Sequence, residues 1–149
     1  MHTVQEEITF SLLDNSSFNE ITFFLQQLND TLTLEVVIER QKELNSYPNY
    51  KWFGLFANGE LVGITGGWIT MRIYSGKQLE IDNVTIHEKH QSKGYGKILL
   101  EHIENWAIAN DFLSIELNTY VNNYRSHKFY FNKDYKILGF HFQKTIGKK

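Results

Sequence analysis

The chain of 149 residues has no cysteine and a single proline, Pro48. Without thiols it can form neither a disulfide nor a cysteine nucleophile. Charge of one sign is not in excess. A formal net charge of −2 and a pI near 6.3 argue against the basic surface of a nucleic-acid binder or of a protein held on anionic lipid. No apolar run approaches the roughly 18 residues of a membrane span. The first ten residues lack a basic stretch followed by an apolar one, so no secretory leader is expected and a cytoplasmic protein is. The six histidines do not make a metal site. His87 and His90 are three apart in a polar loop with no third ligand nearby, and His127 and His141 stand alone. No Gly-x-Ser-x-Gly elbow marks a serine hydrolase.

What is present is ordinary for a globular protein: 42% hydrophobic and 21% charged residues. Aromatic residues are abundant at 15%, which predicts a ring-rich core or pocket. The length predicts one domain, residues 1–149, large enough to bury a substantial core.

Ile8, Phe10 and Leu12 alternate with less apolar neighbours and predict a first strand. Ser17 and Glu20 have the spacing of a capping box. Ile21, Phe24, Leu25 and Leu28 follow at helical spacing, predicting a helix over 18–29. Residues 33–45 read as helix or strand, with the charged positions favouring helix. Pro48 ends that stretch, because it pushes Tyr47 out of helical geometry. A strand over 52–57 and a long returning strand over 61–73 flank Asn58-Gly59, a strong hairpin signal because both residues tolerate positive φ. The return is expected to bend at Gly66-Gly67. A second turn at 74–77 leads to a strand over 78–86. A helix follows, its buried face carrying Leu99, Leu100, Ile103, Trp106, Ala107 and Asn110. A strand over 113–118, a short helix over 123–132 and a final strand or bent pair of strands over 135–144 complete the chain.

The stretch over residues 81–100 organises this order. A strand ending Val84-Thr85-Ile86 runs into the loop Gln91-Ser92-Lys93-Gly94-Tyr95-Gly96, and a helix starts at once. Two glycines one residue apart let the backbone turn sharply and approach a ligand. The amides of residues 92–97 then face the space before the helix, which favours an anion through free N–H groups and the helix dipole. Lys93 and Lys97 add positive charge. A phosphate or pyrophosphate is the natural guest. The dinucleotide fingerprint fails because Leu99 stands where its third glycine belongs, and the P-loop spacing fails as well.

The form Gln-x-x-Gly-x-Gly after such a strand resembles the pyrophosphate loop of the GNAT superfamily of N-acetyltransferases, which use acetyl-CoA. A second segment strengthens the resemblance. Asn123-Tyr124-Arg125-Ser126-His127-Lys128-Phe129-Tyr130 looks like that family's Asn-x-x-small-x-x-Phe-Tyr. Motifs cover residues 78–144, and the element order matches throughout. The resemblance implies an α/β fold with a mixed, mostly antiparallel sheet of six to seven strands and helices on both faces. Two departures stand out. Gln91 replaces the usual Arg and lacks its charge. Asp134-Tyr135 replaces Gly-Phe, so Asp134 is expected to adopt positive φ.

The resemblance also implies the chemistry. Backbone groups of Val84, Thr85 and Ile86 would pair with the pantetheine arm where two parallel strands splay. Gln91, Ser92, Lys93, Gly94, Tyr95, Gly96 and Lys97 would hold the pyrophosphate. Asn123 would hold the arm by its amide, with a helix N-cap as the structural alternative. Tyr130 would be the general acid for the leaving thiolate, with packing as its alternative. Glu80 and Asp82, two apart on one strand, share a face, and either could be the base for the amine. A bulge is expected before Val84, since a regular strand would put Val84 on that face too. The function implied is transfer of an acetyl group from acetyl-CoA to a primary amine of a small molecule or peptide, without a metal. A non-catalytic CoA-binding module of the same fold and an unrelated phosphate-binding domain are the alternatives. Polyamine, aminoglycoside, peptide N-terminus and lysine are all open as acceptors, and a homodimer is a family-level expectation.

Overall fold

The computed structural model describes residues 4–148. The chain forms two compact units, Met1–Glu116 and Leu117–Lys149.

The first unit is built on a five-stranded sheet in the order β1-β2-β3-β4-β5. Its strands are β1 (Ile8–Leu13), β2 (Tyr50–Ala57), β3 (Glu60–Arg72), β4 (Gly76–Ile86) and β5 (Ser114–Glu116). The β1–β2, β2–β3 and β3–β4 pairs are antiparallel, and β5 joins β4 in parallel. Asn58 and Gly59 turn the β2–β3 hairpin at φ of 50° and 79°, as their chemistry predicts.

Helices α1 (Phe18–Leu28), α2 (Leu34–Ser46) and α3 (Tyr95–Ala109) cover the sheet. Ile21, Phe24, Leu25 and Val37 of α1 and α2 bury against Tyr50, Trp52 and Ile64. Tyr95 and Leu99 of α3 bury with Leu55, Ala57 and Val62, the alternate residues of β2 and β3. Period-2 strands thus feed two cores, one on each face. Residues 33–45, ambiguous in sequence, are helical, and the Thr33 side chain caps them by accepting from the Val36 N–H. Gln41 joins the first two helices. It is 1% exposed, donates to the Phe18 carbonyl at 2.9 Å and accepts from the Thr22 hydroxyl at 2.5 Å. Gln41→Leu should cost about 1–3 kcal/mol in chemical denaturation, because it strips buried polar groups of a partner. Adding Thr22→Val should recover part of that loss, since both partners are then apolar.

Several local expectations are corrected. Ser17 makes no side-chain cap bond, so the capping box does not form. Asp14 does the capping one turn earlier: its carboxylate accepts from the Ser16 N–H and hydroxyl. Asn110 is exposed and acts as the C-cap of α3 rather than lying on its buried face.

In the second unit, α4 (Tyr124–Phe131) is the described regular element. Residues 135–144 are not strand. Leu138, Phe140 and Phe142 alternate as a strand requires, yet they are 84%, 91% and 91% exposed. Alternation marks which face could be buried, but a strand exists only where a neighbour completes its ladder. The sheet therefore has five strands rather than six to seven, and it is mixed, with its parallel pair at the edge. Asp134 has φ of 64°, the left-handed conformation expected where it replaces glycine.

Candidate active site

The site is assembled where β4 changes face. Up to Asp82, β4 follows β3 in regular register, with Glu80 opposite Trp68 and Asp82 opposite Gly66. The register then shifts, and pairing resumes with Thr85 opposite Ile64. Asn83 and Val84 therefore share the single position opposite Thr65, and Asn83 sits at φ of 49°. This is the expected bulge. The Thr65 hydroxyl pins it by donating to the Asp82 carbonyl at 3.1 Å, and the Thr85 hydroxyl donates to the Asn83 carbonyl at 3.1 Å.

The bulge sends neighbouring side chains to opposite cores. Glu80 and Asp82 lie on the α1–α2 face with Tyr50 and Trp68, whereas Val84 and Ile86 pack with Leu99 on the α3 face. It also brings two consecutive residues to one hydroxyl. Tyr50 Oη donates to Asp82 Oδ1 at 2.5 Å, and Asn83 Nδ2 donates to Tyr50 Oη at 3.1 Å. Burial pushes the Asp82 carboxyl above the usual aspartate range. Hydrogen bonds from Tyr50, Trp68 and Asn83 oppose that rise, and the nearby charge of Glu80 adds to it. Burial, then the adjacent Asp82 charge, holds the Tyr50 phenol far above the ordinary tyrosine value.

On its other side β4 is only partly covered by β5. Pairing runs from Gln78 with Ser114 to Glu80 with Glu116 and ends there. The backbone from Asp82 to Ile86 lies beyond the last paired residue. Its end is anchored by α1: Gln27 donates to the Ile86 carbonyl at 2.8 Å and accepts from the Glu88 N–H at 2.9 Å.

The glycine loop follows. Ser92 and Gly94 adopt φ of 62° and 84°. Gly94 is the N-cap of α3, and a Cβ there would meet nothing within 4 Å. Gly96 lies inside the first turn of α3, so the positive φ of this loop falls on Ser92 and Gly94. No side chain caps this helix, and Ile98 is the residue whose N–H bonds the Gly94 carbonyl, at 3.2 Å. The amides of Tyr95, Gly96 and Lys97 thus belong to the turn that helix geometry leaves without intrahelical acceptors. Lys93 and Lys97 are exposed beside it. Two loop residues are used differently from a simple phosphate grip. The Gln91 side chain donates to the Ile86 carbonyl at 3.3 Å. Tyr95 is buried in the α3 core with its hydroxyl on the Glu6 carboxylate. The neighbouring histidines have structural partners. His87 Nδ1 accepts from the Lys89 N–H at 3.1 Å, and His90 Nε2 lies 3.0 Å from Glu60. Among the described residues, no three His, Asp or Glu side chains form a metal-binding group.

In the second unit, Asn123 and Tyr130 lie at the two ends of α4. Asn123 caps the helix, its Oδ1 accepting from the Ser126 N–H at 3.2 Å. Capping occupies the oxygen end of the amide, not its NH₂. The Tyr130 ring packs against Phe129 and Tyr135, at 5.1 and 5.5 Å between centroids. Burial raises its phenol above the ordinary tyrosine value.

Sequence reasoning missed the engagement of Tyr50 and Asn83 with Asp82. Two signals were available: an asparagine inside a strand, where asparagine is disfavoured but tolerates left-handed backbone, and the Gly66-Gly67 pair, which lies opposite Asp82 and Ile81.

Comparison with known proteins agrees with this geometry. The sequence matches the Acetyltransferase (GNAT) family over residues 20–134, most of the chain. It is 25% identical over 123 residues to the uncharacterized N-acetyltransferase YhdJ of Bacillus subtilis (strain 168), covering 82% of this chain and 87% of that protein. The fold is similar to that of a possible acetyltransferase from Clostridium difficile 630, with a TM-score of 0.83 at 15% identity over 95% of this chain and 99% of the other. It is also similar to AAC(6')-Iy in complex with the bisubstrate analog CoA-S-monomethyl-acetylneamine, with a TM-score of 0.76 at 12% identity over 94% and 99%. Among the described residues, no helix is long and apolar enough to cross a membrane. With a bulged strand, an uncapped helix start behind it and a family match spanning both, the chain belongs to the GNAT family of acetyltransferases.

Proposed function

We propose that this protein is a single-domain, cytoplasmic N-acetyltransferase that moves the acetyl group of acetyl-CoA to a primary amine of a small molecule or peptide. The observation that carries the reading is the β4 bulge. Together with the end of β5 pairing at Glu80, it leaves the backbone from Asp82 to Ile86 for an extended ligand arm while keeping Asp82 on the α1–α2 face and turning Val84 to the other. In this reading Val84, Thr85 and Ile86 pair with pantetheine, and a Val84-region amide polarises the thioester carbonyl. The α3 amides with Lys93 and Lys97 hold the pyrophosphate, and Asn123 steadies the arm by its NH₂. Asp82 takes the proton from the ammonium so that the free amine can attack, and Glu80 draws a cationic acceptor. The tetrahedral adduct expels the thiolate, Tyr130 gives the thiolate its proton, and the second proton on the former amine nitrogen leaves through solvent, which restores the Tyr130 phenol and gives the neutral amide.

The deciding experiment is thiol release from acetyl-CoA across a panel of polyamines, aminoglycosides and peptides. Turnover with at least one amine is expected. Tight CoA binding without turnover of any amine would favour the non-catalytic module instead. The loop has its own test. Gly96→Asp adds bulk and negative charge where pyrophosphate would sit. CoA affinity measured by calorimetry should fall more than tenfold, roughly 1.4 kcal/mol or more. Unchanged binding by the folded variant would remove the loop from the cofactor site.

A further inference from the structure

We propose that Tyr50, held by Asn83 and given clearance by Gly66, is the positioning residue that keeps Asp82 aimed and ionised for proton removal. This rests on the reading of Asp82 as the base.

The geometry begins with distance across the sheet. Tyr50 is on β2 and Asp82 on β4, so β3 lies between them. Neighbouring strands are about 4.8 Å apart, and a tyrosine can span two such steps only by lying across the strand between. The strand residue opposite Asp82 is Gly66. A Cβ there would stand 1.7 Å from Tyr50 Oη and 2.6 Å from Asp82 Oδ1. The phenol therefore occupies the space that any other residue would fill. Its ring is held by Trp52 and Trp68, at 5.1 and 4.7 Å between centroids, both near edge-to-face.

The bulge then fixes the direction of the hydrogen bonds. In a regular strand Asp82 and Asn83 would point to opposite faces. With Asn83 at φ of 49°, both reach Tyr50 Oη. An amide NH₂ can only donate, so Asn83 fills a lone pair of the hydroxyl. The single phenolic proton is left for the carboxylate. Asn83 therefore supports Asp82 both through Tyr50 and by its own hydrogen bond to the carboxyl, and the Tyr50 bond ties down one carboxylate oxygen. The titratable groups acting on Asp82 are Tyr50 from β2 and Glu80 from its own strand. From β3 it meets the Trp68 indole and the bare backbone of Gly66, neither of which titrates.

Tyr50→Phe tests this. It preserves the ring packing and removes one proton donor to a charged group, an interaction equivalent to about one to two pH units of carboxylate titration. In carbon NMR of the protein without substrate, the Asp82 carboxyl should titrate that much higher in Tyr50→Phe, and less far up in Asn83→Ala. The acidic limb of kcat/KM should move to higher pH by the same amount, with CoA affinity unchanged. An Asp82 titration identical in native protein and both variants would overturn the proposal. A shifted titration with an unmoved rate limb would also overturn it, leaving Tyr50 as a packing residue. If Asp82→Asn leaves rate and pH profile untouched, it is the assignment of the base that fails, and the NMR titration still reports separately on the Tyr50 bond. Should Tyr50→Phe not fold, Asn83→Ala in parallel with Asn83→Asp carries the same two readouts, and an unmoved Asp82 titration in both would overturn the proposal.

Discussion

Tyr130→Phe should lower kcat by roughly 10²- to 10⁴-fold, the usual worth of general acid catalysis, while acetyl-CoA affinity stays within a few-fold of native. The substitution keeps the ring and its contacts with Phe129 and Tyr135, so it isolates the hydroxyl. Burial holds the phenol above its ordinary value, so at neutral pH the side chain carries the proton that the proposed role requires. A thiolate leaving without that proton must take one from water, and the barrier rises accordingly. The measurement is kcat under conditions where acetyl transfer, not product release, is limiting. A Phe variant turning over at near-native rate there would mean that Tyr130 only packs. A poor alkylamine acceptor, whose attack is slow, should show a smaller loss if the proton arrives during collapse of the adduct, because attack then limits the rate.

Asp82→Asn should cost a similar factor in kcat/KM, about 10²- to 10⁴-fold, and should remove an acidic limb from the pH profile. The sign follows from the burial of Asp82. A base works only when deprotonated, so the rate falls as pH drops through its pKa. Burial raises that pKa, so the fall should begin at higher pH than for an exposed aspartate. The acceptor must also be the free amine, which adds a second rise at higher pH. Glu80→Gln should act differently. It leaves the base in place and weakens attraction for a cationic acceptor, raising KM more than it lowers kcat. If the effects are exchanged, Glu80 is the base. If both variants keep the native rate and profile, the amine loses its proton elsewhere.

What could be read from residues alone was local. Asn58-Gly59 specifies its turn because few residue pairs tolerate two positive φ values in succession. The glycine loop specifies a strand-to-helix switch over six residues. Asp134 takes the left-handed conformation because the chain there needs it and aspartate tolerates it better than most residues. Even the bulge was legible, since Glu80 and Asp82 could not share a cleft face while Val84 joined a core unless one extra residue intervened. Local signals misled where a competing partner decided the outcome. Ser17 and Glu20 have the spacing of a capping box, but Asp14 begins the turn earlier. Residues 135–144 have the alternation of a strand, but alternation cannot supply a neighbour.

By itself the sequence determined the order of elements from β1 to α4 apart from the open stretch 33–45, the two motifs and the family, because spacing and backbone chemistry act over a few residues. Tertiary structure alone decided which groups meet. Tyr50 and Asp82 are 32 residues apart, and only the pairing of three strands lays the phenol over Gly66 and onto the carboxylate. Register is a property of strands in contact. A one-residue shift in it moves a side chain to the other face, so whether Asp82 faced a tyrosine or a hydrophobic core was settled only when β2, β3 and β4 came together.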